Sequence, residues 1–165
     1  MALDPPTGFF GKLPARGDFL RAGLPRRFTD PLDDWLRNAL TASRAACGEG
    51  WDEVWAAAPA WRFALPPGAC GPDPALGVML TSRDSVGRAF PLILARLTTA
   101  SDPMATVFLA TAERAGRSAI AAALAPEALQ AMLHLPAEPP PDLRAPVQPW
   151  WTALPAPADF VGMLT

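Results

Sequence analysis

A mixed α/β fold is what the order of apolar patterns predicts for this chain of 165 residues. Three observations carry that reading. Leu32, Trp35, Leu36, Ala39 and Leu40 recur at the spacing of one helix face. Two apolar runs, Gly77 to Ser82 and Ala89 to Thr98, flank a polar connection whose Gly87 suits a hairpin-type turn. Trp61 to Leu65 alternates apolar with polar or small residues, as a half-buried strand does, and sets Arg62 opposite Trp61 and Phe63. The length suits one core, and no linker is long enough to divide two, so residues 1–165 are read as a single domain.

The remaining elements follow in order. Phe9 and Phe10 favour a short strand over residues 7–13, ended by Pro14. Arg16-Gly17-Asp18 reads as a tight turn in which Gly17 is free to take a positive φ, and Gly23 and Pro25 prolong the irregular segment. A helix is expected over residues 31–45, with Thr29 or Asp30 as cap, Pro31 at its first position and Asp33 and Asp34 in the first turn. Gly48-Glu-Gly50 breaks the chain, Trp51 to Ala58 gives a shorter helix, and Pro59 stops it.

Residues 66–75 form a loop rich in Pro and Gly, and Pro91 lies near the start of the second hairpin strand, where a missing donor is tolerated. Asp102 caps a helix-rich stretch over 104–124, with Pro103 in its first turn and Gly116 weakening its middle. Pro126 opens another helix to about Leu133. Residues 136–149 read as a proline-rich covering loop, Val147 to Trp151 as a late strand, and Phe160 to Leu164 as a terminal helical turn.

Composition removes several function classes. A formal charge of −2 gives no global reason to expect nucleic acid or an anionic membrane. No apolar run approaches the ~20 residues that span a bilayer, and the first residues lack a secretory-leader pattern, so a cytoplasmic protein with no membrane insertion is expected. Cys47 and Cys70 are too isolated for a disulfide framework or a metal knuckle and read as free thiols. The only histidine, His134, sits at a helix end beside Pro136, where a structural task at the C-terminal dipole suffices. Gly11-Lys12 is followed by Leu13 rather than Ser or Thr, which breaks the phosphate-loop pattern. Asp30, Asp33 and Asp34 are better explained by helix capping than by metal. No catalytic residue, cofactor or metal is therefore expected.

One constellation stands out. The only lysine lies in Gly8-Phe-Phe-Gly-Lys-Leu-Pro-Ala-Arg-Gly-Asp-Phe-Leu20, a run that mixes glycines with ionisable residues. Lys12, Arg16, Asp18, Arg62, Asp84 and Arg88 all fall in turns, strand edges or glycine-bearing loops, and pairing of the first strand with the hairpin would bring several together. They are the candidate partner-binding residues, against the plainer reading of ion pairs that tie loops to the sheet. Of the tryptophans, Trp35 and Trp55 read as core, and Trp150-Trp151 as a candidate protein-binding anchor.

The segments Gly8-Phe-Phe-Gly-Lys-Leu-Pro-Ala-Arg-Gly-Asp-Phe19, Gly23-Leu-Pro-Arg-Arg-Phe28, Asp34-Trp-Leu36, Pro59-Ala-Trp-Arg-Phe-Ala-Leu65, Gly77-Val-Met-Leu80, Ser82-Arg-Asp-Ser-Val-Gly-Arg-Ala-Phe-Pro-Leu92 and Trp150-Trp151, in this order, resemble the TagF (ImpM) family of type VI secretion. The chain departs from it at Thr81, where members often have proline, at Ala89, where they often have an aromatic, and in having no tyrosine before Pro59. The resemblance implies a three-layer α/β/α sandwich around a mixed, largely antiparallel sheet. It implies a cytosolic accessory protein that represses assembly of the secretion apparatus after translation. Repression would act by binding the forkhead-associated scaffold protein, in a pathway with a Thr kinase and phosphatase pair. No catalytic residues transfer with it. A non-enzymatic binding module is thus the first expectation. A small enzyme or nucleotide-binding domain using Lys12, Arg16 and Asp18 is the alternative, and a structural subunit of the apparatus is the third.

Overall fold

The hairpin around Gly87 sits at the middle of the sheet. A computed structural model of the chain describes residues 4–135 and 150–165. In it β4 (Ala75–Leu80) and β5 (Leu92–Arg96) pair antiparallel, with Val78 opposite Leu94 and Leu80 opposite Leu92. Gly87 takes φ 88°, and an isolated bridge joins Arg83 to Ala89 beyond the strand ends. On one side β1 (Thr7–Gly11) pairs antiparallel with β5, and β2 (Leu20–Ala22) adds an outer edge. On the other side β3 (Trp61–Leu65) pairs antiparallel with β4, and β6 (Trp150–Trp151) runs parallel to β3. The strand order is β2-β1-β5-β4-β3-β6.

Successive side chains of a strand point to opposite faces, so each apolar strand feeds two cores. Phe10, Phe63, Met79 and Ile93 share one core with Phe28, Leu32, Trp35 and Leu36 of α1 (Arg26–Cys47). Trp51 and Trp55 of α2 (Trp51–Ala57) and Met163 and Leu164 of α5 (Val161–Leu164) join it. Phe9, Val78, Leu80, Leu92 and Leu94 share the other core with Phe108, Leu109 and Ala112 of α3 (Ala105–Ala121) and Leu129 and Leu133 of α4 (Pro126–Leu133). The two central strands are therefore apolar at nearly every position, as burial on both faces requires.

Indole N–H groups tie distant segments together. Trp55 Nε1 donates to the Ser82 carbonyl at 3.0 Å, Trp35 Nε1 to the Pro155 carbonyl at 2.7 Å and Trp61 Nε1 to the Met163 carbonyl at 2.6 Å. The last two fasten the C-terminal segment over the first core.

Several elements differ from the sequence expectation. α1 starts at Arg26 with Pro25 at the cap position, and neither Thr29 nor Asp30 caps it. Pro31 lies inside the helix, where its missing N–H leaves one backbone bond unmade. Burial of Phe28 and Leu32 holds the helix through that position. Asp33 is consequently not in the first turn but pairs with Arg37 at 2.9 Å, one turn along. Residues 20–22, expected to be irregular, form β2, because Ala22 and Arg21 register with Phe9 and Phe10. Gly17 does not take a positive φ; Gly11 and Gly23 do.

β5 begins at Leu92 rather than Ala89, after Pro91. Asp102 does not cap α3 directly. Its carboxylate accepts the Met104 amide at 2.8 Å and shapes the turn before the helix. Gly116 has a packing reason: a Cβ there would lie 2.5 Å from Leu80 Cδ1 and 2.9 Å from Leu94 Cδ1, so α3 presses closely on the sheet. The predicted loop 136–149, the start of the late strand at 147–149 and the side chains of Trp150 and Trp151 lie outside the described residues. No helix among the described residues is long and apolar enough to cross a membrane.

Candidate functional site

The Lys12 segment leaves the sheet through a backbone contact that only glycine permits. Gly11 has φ 133°, and a Cβ there would lie 2.0 Å from the Pro91 carbonyl oxygen. The chain turns at this point and carries Lys12 inward, to 6% exposure. Its ammonium donates to Asp84 Oδ2 at 2.9 Å.

Asp84 is the hub of the cluster. Its Oδ1 accepts the Val86 and Arg88 amides at 3.0 and 2.9 Å, and Oδ2 also accepts Arg88 Nε at 2.7 Å. Burial alone would raise the Asp84 pKa. The hydrogen bonds from Lys12, from the Arg88 amide and guanidinium, and from the Val86 amide outweigh it and hold the carboxyl well below the usual range. Arg88 then reaches across, donating from Nη2 to the Gly17 carbonyl at 2.6 Å, and the Ser85 amide donates to the Arg16 carbonyl at 2.8 Å. The 12–19 loop and the 83–88 turn are thereby clasped together.

Four of the six sequence candidates, Lys12, Arg16, Asp84 and Arg88, take part in that clasp, Arg16 through its backbone. The Arg16 side chain is exposed and reaches Glu127 of α4 only at 3.9 Å. Asp18 is exposed on the same loop. Arg62 does not join them. It lies on β3, separated from β1 by β5 and β4, and pairs with Glu113 of α3 at 3.3 Å. The condition set by the sequence reading, pairing of the first strand with the hairpin, is met; one ion pair, Lys12–Asp84, joins the loop to the turn, and the other, Arg88–Asp84, lies within the turn.

Beside the clasp lies an open groove of about 810 Å³. One wall is the Lys12 loop with Phe19, a second is the turn carrying Arg83 and Arg88, and a third is the polar face of α1 with the start of α2. Phe19 is 43% exposed, with Lys12 Nζ 4.9 Å and the Arg37 guanidinium 5.2 Å from its ring centre. The Phe90 ring stands nearly perpendicular to it, with ring centres 4.7 Å apart. The Arg44 guanidinium lies 4.4 Å over the Trp51 ring, and Arg83 pairs with Asp52 at 2.7 Å. Sequence reasoning passed over Arg37, Arg44, Phe19 and Trp51 as groove residues. A signal existed: Arg37, Thr41 and Arg44 are spaced at i, i+4 and i+7 on the face of α1 opposite its apolar stripe.

His134 stands at the C-terminal cap of α4, within 3.3 Å of Gln130. Both cysteines are free, and burial pushes the Cys70 thiol up to about 11.

Comparison with known proteins places this geometry in a family context. The family model described as TagF N-terminal domain, type VI secretion system-associated, matches residues 8–135, a span that includes all six candidate residues. Among solved structures, the crystal structure of PA0076 from Pseudomonas aeruginosa PAO1 is similar, with 37% sequence identity and a TM-score of 0.70. The match covers 81% of this chain and 64% of that one, so this chain spans less than two thirds of its relative's length. No curated protein matches the chain.

Proposed function

The chain belongs to the type VI secretion-associated TagF N-terminal domain family, and from that premise we propose that it is a non-enzymatic accessory protein that represses the secretion apparatus after translation. It acts by binding a cytosolic component, the forkhead-associated scaffold protein, in a pathway that includes a Thr kinase and phosphatase pair. The two apolar cores are the interfaces of a three-layer α/β/α sandwich, which gives the clasped loops a rigid base.

The observation that carries this reading is the buried Lys12–Asp84 pair. It commits the only lysine to holding one loop against another, and this favours recognition over chemistry at Lys12. A preset surface binds without first ordering its loops, so less affinity is lost to conformational entropy. Control of the apparatus then needs only a difference in affinity between two states of the scaffold.

The test is capture of the purified scaffold by the purified chain, together with secretion measured in host cells lacking or overproducing it. Capture, with secretion raised by deletion and lowered by overproduction, is expected. Abolished secretion on deletion would point to a structural subunit. A thermal shift with nucleotides or metals, without scaffold capture, would point to the small-enzyme alternative.

A further inference from the structure

The groove beside the clasp carries a charge imbalance that the fold does not use. Lys12, Arg37, Arg44, Arg83 and Arg88 line it, against one lining carboxylate, Asp52. Asp33 and Asp84 neutralise two more from outside the lining. Five cations thus face three ion-paired carboxylates, leaving an excess of two on a chain whose formal charge is −2. Lys12 and Arg88 share one carboxylate, and Arg44 has none among the described residues. Arg44 instead lies over Trp51, which fixes its guanidinium without neutralising it.

We infer that this groove docks an extended acidic segment of the partner protein, its carboxylates meeting Arg44, Arg83 and Arg88 and an apolar side chain resting on Phe19. The inference rests on the binding-module reading and adds the chemistry of the partner. Arg44 suits the task because its planar fork can take a carboxylate in two parallel hydrogen bonds while its face stays on Trp51, whereas Arg83 and Arg88, already donating to Asp52 and Gly87 and to Asp84 and Gly17, add positive charge beside it. The guanidiniums are anchored separately, on Phe19, Trp51, Asp52 and Asp84, so positive charge is distributed along the walls and not focused on one point. Spaced carboxylates on a peptide match that distribution better than a single phosphate. Phe19, 43% exposed beside buried Phe90, supplies an apolar contact of the kind that centres an interface.

The experiment is a fluorescence-anisotropy titration of the full chain with a labelled peptide of alternating Glu and Ser around a central Leu-Phe. Its comparators are the same peptide with Gln for Glu, a Gln peptide carrying one phosphothreonine, and ATP. The acidic peptide is expected to bind about tenfold more tightly than the Gln form, with affinity falling as salt rises. Arg44→Glu is expected to fold and to lose about tenfold, with a thermal midpoint lower by a few degrees because it puts a carboxylate in the last turn of α1 and removes the contact with Trp51. Arg83→Glu on the opposite wall gives a second reading should the first variant fail to fold. Equal binding of the Gln peptide, undiminished binding by both folded variants, or tighter binding of the phosphothreonine peptide or ATP overturns the inference. Capture of the purified scaffold separates the two claims. Capture by wild type and Arg44→Glu alike overturns the groove and leaves the repressor reading. Acidic-peptide binding without scaffold capture supports the groove and removes the scaffold as partner.

Discussion

Replacing Lys12 by methionine removes one ammonium and keeps an apolar stem of similar reach. Lys12 is 6% exposed, and its Nζ lies 2.9 Å from the Asp84 carboxylate. Breaking a buried pair whose remaining partner has nothing else costs about 3–5 kcal/mol. Here the abandoned carboxylate keeps Arg88 and two backbone N–H groups. The loss should therefore fall to that of one charge-assisted hydrogen bond, about 1.5–3 kcal/mol. For a chain of 165 residues this corresponds to a fall in melting temperature of about 3–12 °C.

Calorimetry at neutral pH measures that fall, and amide exchange at Ser85, whose N–H donates to the Arg16 carbonyl, reports the loop contact. Faster Ser85 exchange is expected in Lys12→Met. Arg88→Met serves as comparison: it removes both the ion pair with Asp84 and the bond to the Gly17 carbonyl, but its side chain is 63% exposed, so the fall in midpoint should be smaller. A midpoint within about 1 °C of wild type, with Ser85 protection unchanged, would refute the reasoning that this pair clamps the loop to the turn.

Three further outcomes follow from the same structure. The depressed Asp84 pKa stabilises the fold fully above the unfolded carboxylate value of about 3.9, and this contribution fades as pH falls below it toward the native value. The gap in melting temperature between wild type and Asp84→Asn should therefore narrow from about pH 5 to pH 3; a constant gap contradicts the assignment. Gly116→Ala gains about 1 kcal/mol of helix propensity but loses about 1–3 kcal/mol to crowding against Leu80 and Leu94. Calorimetry should show no gain in stability, and a higher melting temperature would mean that α3 is not pressed on the sheet. Finally, the buried Cys70 thiol, pushed up to about 11, should resist an aromatic disulfide reagent at pH 8 while the half-buried Cys47 reacts. Equal fast reaction of both would contradict that burial.

The elements legible in the sequence were those whose local pattern and tertiary burial agree. β3 and α4 take the residues expected, because alternation at Trp61–Leu65 and Pro126 at a first helical position are both local signals. The hairpin was legible through Gly87 and two apolar runs. The start of α1 was not, because Pro31 reads as a helix opening, and only burial of Phe28 shows that the helix begins a turn earlier. β2 was hidden because the alternation of Leu20, Arg21 and Ala22 is too short to mark a strand, which forms only once β1 offers an edge. At the site, Lys12, Asp84 and Arg88 were legible as charges on glycine-bearing loops, but their roles depend on β1 lying beside β5. Arg62 lies apart from them through a strand order that no local pattern encodes. Arg44 was missed because a cation on a polar helix face looks like ordinary solvation until Trp51 is seen beneath it.

The central claim is that this protein works by presenting a fixed surface to another polypeptide. Titration of the purified forkhead-associated scaffold onto the immobilised chain tests it most directly, with wild type beside a folded Arg16→Ala/Asp18→Ala variant. Saturable binding by wild type, weakened in the variant, is the predicted result. No binding by wild type, coupled with turnover of a small molecule that disappears when Lys12 or Arg16 is altered, would contradict it.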